Sequence, residues 1–401
     1  MPAEVSAGAG RSVPTAWKVV FEDGTARQIG NELPAFTLHV PSQSALERIL
    51  STDAYTAAMA YLRGEFEVEG DLCAAIRFKG WTPRSWWRHA CFQAIARVGA
   101  LRETLFQKPS QSARHIRFHY DRSNEFYRLF LDPRMVYSCA YFRTPDASLE
   151  QAQLAKLDHI CRKLDLQPGE RFLDIGCGWG ALVAHAAAAY GAEATGCTLS
   201  RAQYEHASAL AQGPVSILEQ DYREVAGRFD KIASVGMFEH VGRRRAPGYF
   251  RKIAELLRPA GLFLNHAIAR AQGVTDDAAS LFVRHRIFPG GQLLHLDETI
   301  RSAEQAGLEV LDVENLRPHY ARTCRLWEQR LAAQREAALG LVDEPTYRAW
   351  RIWLAGSSLS FEEGLLSIYQ VLMAKRGAPR AHWTREHLYA CLLYTSPSPR
   401  D

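Results

Sequence analysis

The chain has 401 residues, of which 47% are hydrophobic and 23% are charged. This composition supports packed cores, suggests two domains and excludes an intrinsically disordered protein. The formal net charge of +4 is too small to indicate a protein that binds nucleic acid.

The cysteine pattern and residues 1–14 indicate in which cellular compartment the protein is expected. The eight cysteines form no CxxC pair, and none lies near a His pair at zinc spacing. We therefore expect neither a disulfide framework nor a metal site, and a reducing cytoplasm is the simplest setting. Residues 1–14 lack the basic and then apolar layout of a signal peptide, and no run reaches the roughly 18 apolar residues of a spanning helix. Any contact with a membrane is expected to be peripheral.

The first predicted unit is a small α+β domain over residues 16–105. The runs WKVVFEDG and PAFTLHV alternate between apolar and polar residues, as strands do. The stretch SALERILSTDAYTAAMAYLRGEFEVEGDL that follows is predicted to form helical segments ending at Gly64 and Gly70.

A basic, aromatic segment follows at residues 81–122. Trp81, Trp86 and Trp87 alternate with arginines such as Arg84 and Arg88. One interpretation is a helix that joins two domains and has solvated arginines. The other is an element that binds an anionic membrane surface, because Trp and Arg suit the headgroup layer.

Strands and helices alternate from Arg171 onward, within a predicted second domain at residues 106–390. RFLDIGC, EATGCTLS, VSILEQDY, FDKIASVGM and GLFLNHAI are predicted strands, with helical patterns between them, and LEVLDVENL and LLSIYQVLMAK are predicted final strands. This order predicts an α/β fold with a doubly wound, largely parallel sheet. The last residues, 391–401, resemble the translation of a sequencing-library adapter and are excluded from functional interpretation.

A glycine loop, LDIGCGWG, is predicted where a strand passes into a helix. Gly176, Gly178 and Gly180 permit tight turning and close approach of a ligand, and Asp174 precedes them. GxGxG alone is a weak signal, because dinucleotide sites look alike. The GxGxG spacing, the absence of an acidic residue at the end of GCTLS and the pair Asp221-Tyr222, suited to an adenine amine and ring, favour S-adenosylmethionine.

Several longer motifs occur in a family's order and at its spacing. These motifs are HYDRSNEFYRLFLDPRMVYSCAYF, LDIGCGWG, TLSRAQ, DYRE, SVGMFEHVG, IFPGG and HYARTCRLW. Through them, over residues 30–375, the chain resembles the cyclopropane fatty acid synthases and the related mycolic acid methyltransferases, and its N-terminal unit resembles the small domain of full-length bacterial synthases.

The resemblance implies a class I methyltransferase (Rossmann-like) fold and roles for individual positions. By that resemblance, the contacts to S-adenosylmethionine are Tyr137, Ser138, the 173–180 loop, Thr198, Leu199, Gln203, Asp221 and Tyr222. A bicarbonate ion serves as the base in the family, and the positions that match its ligands are Cys139, Glu239, His266, Ile268 and Tyr320.

The residues themselves support chemistry at one edge of the sheet. Glu239 follows the fourth predicted strand and His266 ends the fifth, so both are expected at the carboxyl edge, where α/β ligand sites lie. An alkene that attacks the methyl group of S-adenosylmethionine leaves a carbocation, which water must not reach. Tyr141, Phe142 and Phe238 are candidate aromatic stabilisers. A free Glu239 carboxylate and a bound bicarbonate remain alternative bases on residue type alone.

Some positions depart from the family pattern and bear on the product. The chain has Arg122-Ser123 where relatives have Leu-Gly, Ala267 within HAI where they often have HTI, and Ser357 where many synthases have Cys; Arg243 opens a run of three arginines that is more basic than usual.

The predicted function is that of a cyclopropane-fatty-acyl-phospholipid synthase. Its substrate would be an unsaturated phospholipid, reached from the cytoplasm by peripheral contact with an anionic membrane, and a homodimer is left open. The alternatives are a lipid C-methyltransferase that gives a branched or methylene product, a small-amine N-methyltransferase and a non-catalytic lipid carrier. The intact glycine loop, Glu239 and Tyr320 disfavour the carrier.

Overall fold

The computed structural model describes residues 15–79, 123–274, 278–288, 291–380 and 382–389. The predictions for the basic, aromatic segment 81–122, for Arg122 and for the adapter-like residues 391–401 lie outside these ranges. The predicted boundary between residues 105 and 106 also lies outside them, and the domain limits stay a prediction.

The N-terminal part of the chain folds around a four-stranded sheet in the order β2-β1-β3-β4. Its strands are β1 Trp17–Phe21, β2 Ala26–Ile29, β3 Phe36–Val40 and β4 Glu67–Gly70. Three helices accompany it: α1 Gln43–Ser51, α2 Ala54–Leu62 and α3 Leu72–Lys79. The strands β1 and β3 match the two predicted runs.

The sequence interpretation of the stretch before Gly70 as helical is wrong, because part of it forms β4. Gly64, with φ +72°, follows α2, and the chain then alternates buried Phe66, exposed Glu67, buried Val68 and exposed Glu69. That two-residue period suits a strand with one covered face, and β4 pairs antiparallel with β3.

The larger sheet has seven strands in the order β10-β11-β9-β8-β5-β6-β7. The strands from β9 to β7 in this order run parallel to one another, whereas β11 is antiparallel to both β9 and β10. The predicted α/β class with a largely parallel sheet is confirmed. The strands are β5 Arg171–Ile175, β6 Glu193–Thr198, β7 Val215–Glu219, β8 Phe229–Val235, β9 Leu257–Arg270, β10 Leu308–Asn315 and β11 Leu366–Lys375.

Helices cover both faces of this sheet. Successive residues of β5 belong to different cores: Phe172 packs with α5 and α6, whereas Leu173 packs with α8 and α10. The helices are α4 Asn124–Arg128, α5 Leu149–Lys163, α6 Ala181–Tyr190, α7 Arg201–Leu210, α8 Ala246–Leu256, α9 Ala278–Arg286, α10 Leu296–Gln305, α11 Arg317–Ala333, α12 Arg335–Leu339, α13 Glu344–Glu362 and α14 Glu386–Tyr389. Of the described helices, none combines the length and apolar character needed to cross a bilayer.

The two sheets are joined through helices. One hydrophobic core contains Trp17 and Phe36 of the smaller unit together with Phe282 of α9 and Ala355 and Leu359 of α13. Charged pairs add to this contact, because Arg77 pairs with Glu362 and Arg325 with Asp71. The smaller unit therefore packs against α9, α11 and α13.

Candidate active site

The glycine loop between β5 and α6 has the backbone shape that its sequence demands. Gly176, Gly178 and Gly180 all have positive φ values, of +80°, +56° and +88°. A Cβ at Gly176 would lie 2.9 Å from the Met237 side chain, whereas a Cβ at Gly178 would point into open space. The loop therefore leaves room for a ligand beside Gly178.

A cavity of about 150 Å³ lies against this loop at the carboxyl edge of β5, β6 and β8. The structure brings almost all of the predicted cofactor contacts to its wall. Leu173 and Gly180 are not on it, because Leu173 packs in the core beneath the loop and Gly180 faces Ala207 of α7. The predicted contacts on the wall are Tyr137, Ser138, Asp174, Gly176, Gly178, Thr198, Leu199, Gln203, Asp221 and Tyr222.

The polar residues of this cavity are held in place by neighbours. Thr198 Oγ1 donates to Gln203 Oε1 over 2.8 Å, which fixes the side chains after β6. Burial alone would raise the pKa of Asp221, but hydrogen bonds from Arg223 outweigh it and hold that pKa below its usual value. Asp221 is therefore an ionised acceptor beside the Tyr222 ring, as an adenine amine requires.

Asp174 and Lys156 are buried ionisable residues on the same cavity wall, and Asp174 lies in β5, two strands away from β7, which Asp221 follows. Asp174 is buried, and its Oδ1 has no hydrogen-bond partner among the described residues. Burial raises the pKa of Asp174 to about 7, against the attraction of Lys156. Lys156, on α5, was not predicted from the sequence. The spacing of Ala152, Lys156 and Ile160, all buried on one helical face, is the signal that could have found it.

A second, larger cavity of about 420 Å³ meets the first. Tyr137, Gly236 and His240 line both. Most of its other lining is apolar and comes from both units; the smaller unit contributes Leu38, Ile49, Leu50, Ala54, Ala57, Ala58, Tyr61, Phe66, Val68, Leu72, Ala75, Ile76 and Phe78. Burial lowers the pKa of His240 to about 4, so the imidazole at this junction is neutral.

Glu239 lies on the wall of the larger cavity, in a single 3₁₀ turn, Phe238–His240, that follows β8. The hydrogen-bonded pairing between β8 and β9 ends at Val235 and His266. The next backbone N–H of β9 on the side facing β8, that of Ile268, therefore does not bond to β8. The Oε1 atom of Glu239 instead accepts a hydrogen bond from the Ile268 nitrogen at 2.8 Å. Its Oε2 is buried without a hydrogen-bond partner among the described residues, and burial raises the pKa of Glu239 to about 7.

His266 is fully buried in β9 and lines neither cavity. Its Nδ1 lies 3.1 Å from Nε2 of Gln370, and with the amide in this orientation its nitrogen donates, which puts the proton of the neutral ring on Nε2. That Nε2 is buried and has no partner among the described residues. Burial, together with the charge of Lys156, holds the pKa of His266 well below its usual value.

The remaining predicted residues share one hydrophobic core, which contains Cys139, Ile268 and Tyr320. Ile268 and Tyr320 line the larger cavity with Glu239, whereas Cys139 lies behind the wall. The Cys139 thiol donates to the Ala140 carbonyl over 3.2 Å, and burial raises its pKa, so the thiol stays protonated. The structure thus brings three of these residues to one cavity and places Cys139 and His266 outside both.

The predicted aromatic stabilisers are wrong. The Tyr141 ring is stacked between His159 and His319, Phe142 lies beneath Arg322, and Phe238 packs in the core under β8. The aromatic residues that the larger unit contributes to the larger cavity are Tyr137, Phe282, Phe288, Tyr320, Trp353 and Phe361. Tyr137, Phe288 and Tyr320 lie in motifs that carry the family resemblance, whereas no local sequence pattern marks Trp353.

Comparisons with known proteins agree with this arrangement. The family described as mycolic acid cyclopropane synthetase matches residues 107–371. A probable fatty acid methyltransferase of Pseudomonas putida is 39% identical over 92% of this chain and 94% of its own. A second probable fatty acid methyltransferase, from Mycobacterium tuberculosis, is 40% identical over 68% of this chain and 65% of its own.

Solved structures give the same picture. The cyclopropane synthase MmaA2 from Mycobacterium tuberculosis superposes with a TM-score of 0.64 and 34% identity, over 66% of this chain and 98% of that one. A mycolic acid cyclopropane synthase, CmaA1, solved with SAH and CTAB, has a TM-score of 0.63 and 34% identity over the same shares. Coclaurine N-methyltransferase, at 23% identity and a TM-score of 0.55, shares the fold.

Proposed function

The chain belongs to the mycolic acid cyclopropane synthetase family of S-adenosylmethionine-dependent methyltransferases, and from this premise we propose that it converts the double bond of an unsaturated phospholipid acyl chain into a cyclopropane. One observation carries the proposal. A small polar cavity at the glycine loop meets a large apolar cavity at Tyr137, Gly236 and His240, with Glu239 beside the junction. Such a pair of cavities suits a compact polar methyl donor and a long apolar acceptor.

The smaller cavity fits S-adenosylmethionine, which supplies an electrophilic methyl group. The open space beside Gly178 accommodates a ligand against the backbone, and Asp221 offers an ionised acceptor for the adenine amine. The unpartnered Oδ1 of Asp174 suits the ammonium of the methionine portion. Thr198 and Gln203, which are joined by a hydrogen bond, are available to the remaining polar groups of the cofactor.

The larger cavity fits an acyl chain. Its walls exclude water from the carbocation that forms when a double bond takes up a methyl group. Tyr137 and Tyr320 lie on this wall, and a desolvated aromatic face stabilises a nearby cation by about 1–2 kcal/mol. The apolar lining also favours a lipid chain over a small amine.

Bicarbonate, which would act as a proton acceptor, is supported by the buried Oε2 of Glu239, which has no partner among the described residues and belongs to a side chain on the wall of the larger cavity. A small oxyacid carries a donor from which an ionised carboxylate oxygen can accept. His266 Nε2 is a second such buried atom, but His266 lines neither cavity. Following the family pattern, Glu239, His266 and Tyr320 would hold the bicarbonate together with the Cys139 and Ile268 positions.

The phospholipid substrate, the cytoplasmic and peripheral location and a homodimer remain proposals. The positive net charge and the arginines of segment 81–122 are compatible with an anionic membrane surface.

A second candidate is a lipid C-methyltransferase that gives a branched or methylene product. The two probable fatty acid methyltransferases, 39% and 40% identical to this chain, favour it. The two reactions share methyl transfer and differ in the step that follows it.

One experiment tests the proposal and separates the two products. The purified protein is incubated with S-adenosylmethionine and vesicles of an unsaturated phospholipid, and the recovered lipid is examined by mass spectrometry and proton NMR. A cyclopropane and a methylene branch have the same mass, but cyclopropane methylene protons resonate at unusually high field. A lipid heavier by CH2 without those resonances would contradict ring closure, and an unchanged lipid would contradict the phospholipid substrate.

A further inference from the structure

One turn of α5 holds the chain segment that forms the wall of the smaller cavity. Gln153 donates from Nε2 to the backbone carbonyls of Val136, at 3.3 Å, and Ser138, at 2.9 Å. Lys156, one turn further along, donates from Nζ to the Ser138 hydroxyl at 2.8 Å. Gln153 and Lys156 are both buried, at 0% and 2% exposure. Segment 136–138 is thus fixed both through its backbone and through the side chain of Ser138.

The bond between Lys156 and Ser138 sets the direction of the hydroxyl proton. A lysine ammonium has three donors and no acceptor, so the Ser138 oxygen must accept this bond. The hydroxyl proton must then point away from Lys156. Ser138 lies on the wall of the smaller cavity, where a ligand atom can receive that proton.

The charges of the smaller cavity differ along its wall. Asp221, beside Tyr222, puts negative charge where adenine is proposed to bind. Lys156 puts a buried positive charge on the same wall and interacts with Asp174, which lies in β5, two strands away from β7 and the Asp221 that follows it. Together, Lys156 and Asp174 complement a zwitterion, and the only zwitterionic part of S-adenosylmethionine is its amino acid group. A buried cation is costly unless it is paired, and Asp174 with Asp132 partly balances it here.

We propose that Lys156 is a positioning residue for the amino acid end of the cofactor: it holds Ser138 as a hydrogen-bond donor to the cofactor carboxylate and supplies the balancing positive charge. This assignment rests on the proposed location of S-adenosylmethionine in the smaller cavity. Lys156 acts through Ser138, so removing either residue removes the same contact.

Calorimetry with two ligands tests this role. S-adenosylhomocysteine carries the amino acid group, whereas 5′-methylthioadenosine has the same adenosine and thioether without it. Lys156→Met should weaken S-adenosylhomocysteine by about tenfold or more, the value of a hydrogen bond to a charged group, and leave 5′-methylthioadenosine unchanged. Ser138→Ala should have a similar effect, and the double variant should bind no more weakly than the weaker single variant. Lys163→Met, a matched loss of a buried lysine on the same helix whose partners are Asp312 and Glu314, should leave the ratio of the two affinities unchanged.

The outcomes separate this role from folding and from cofactor placement. Equal weakening of both ligands in Lys156→Met would show a structural role and overturn the assignment, as would unchanged binding of S-adenosylhomocysteine. Additive losses in the double variant would overturn action through Ser138. A failure of the unsubstituted protein to bind S-adenosylhomocysteine would instead overturn the cofactor placement, and this assignment with it.

Discussion

Glu239 accepts a hydrogen bond from the backbone nitrogen of Ile268, with Oε1 2.8 Å from that nitrogen, at the point where β8 no longer pairs with β9. The carboxylate thus takes the place that the next residue of β8 would have occupied in the ladder. One oxygen is fixed by the sheet, and the other stays buried and unpartnered beside the larger cavity. A group held in this way is ready for proton chemistry without rearrangement of its own side chain.

Replacing Gly178 with valine should abolish most binding of S-adenosylhomocysteine. Gly178 has φ +56°, and a side chain there would fill the space proposed for the ligand. Left-handed backbone strain alone costs about 1–2 kcal/mol, so a control must carry the same strain. Gly213→Val provides it, at φ +61° in an exposed loop with nothing within 4 Å of its Cβ. Calorimetry showing equal affinity in the two variants would contradict the cofactor site.

Glu239→Gln should lower turnover by about a hundredfold or more while leaving the affinity for S-adenosylhomocysteine largely intact. The glutamine oxygen can still accept from Ile268, so the local fold should persist, but the amide cannot take or hold a proton in the same way. Glu205→Gln, an exposed change on α7, is the control. Single-turnover methyl transfer measured for both variants decides the question, and equal rates would contradict a role for Glu239 in the reaction.

The contribution of Glu239 to thermal stability should fall as the pH rises from about 5 to about 7.5, against the opposite contributions of His240 and His266, whose pKa values burial lowers. Burial raises the folded-state pKa of Glu239 from 4.5 to about 7. Between those values the folded protein holds a proton that the unfolded chain has lost, so raising the pH favours unfolding. Differential scanning fluorimetry should show a smaller decline in the melting temperature for Glu239→Gln than for the unsubstituted protein. Asp174, whose pKa is also raised to about 7, should account for part of the decline that remains. Parallel curves for the two proteins would show that Glu239 titrates normally.

Ala58→Leu should impair reaction with long acyl chains more than reaction with short ones. Ala58 is buried on α2 and lines the larger cavity, so a bulkier side chain shortens the space available. Binding of S-adenosylhomocysteine should not change, because the smaller cavity lies elsewhere. Ala209→Leu on the exposed face of α7 serves as the matched control. Competition between vesicles of short-chain and long-chain unsaturated phospholipids gives the measurement, and an unchanged preference would place the chain outside this cavity.

The glycine loop could be predicted from sequence because its requirements are local. Gly176, Gly178 and Gly180 each need a positive φ, and the residues on both sides have clear strand and helix patterns. The position of Glu239 after β8 could be predicted for the same reason. The alternation of apolar and polar residues around Val68 was also visible in the sequence. It was interpreted as helix because the strand is short and comes directly after a helix.

Other parts of the site depend on contacts that are distant in sequence. His266 was predicted to end its strand, but β9 continues to Arg270, because its pairing with β11 extends four residues further. The His266 ring lines neither cavity, and its Nδ1 faces Gln370, 104 positions away in the sequence. The role of Lys156 emerges only when α5 packs on the 136–138 segment. The larger cavity is lined by residues of both α2 and α13, and no short sequence pattern encodes such a pairing.

Trp17, Phe282 and Leu359 share one core, so the larger cavity lies where the two units pack against each other. An acyl chain bound in the larger cavity would contact both units and would therefore stabilise their contact by mass action. Loss of the acyl chain would remove this stabilisation, so the contact between the two units should be weaker when the larger cavity is empty.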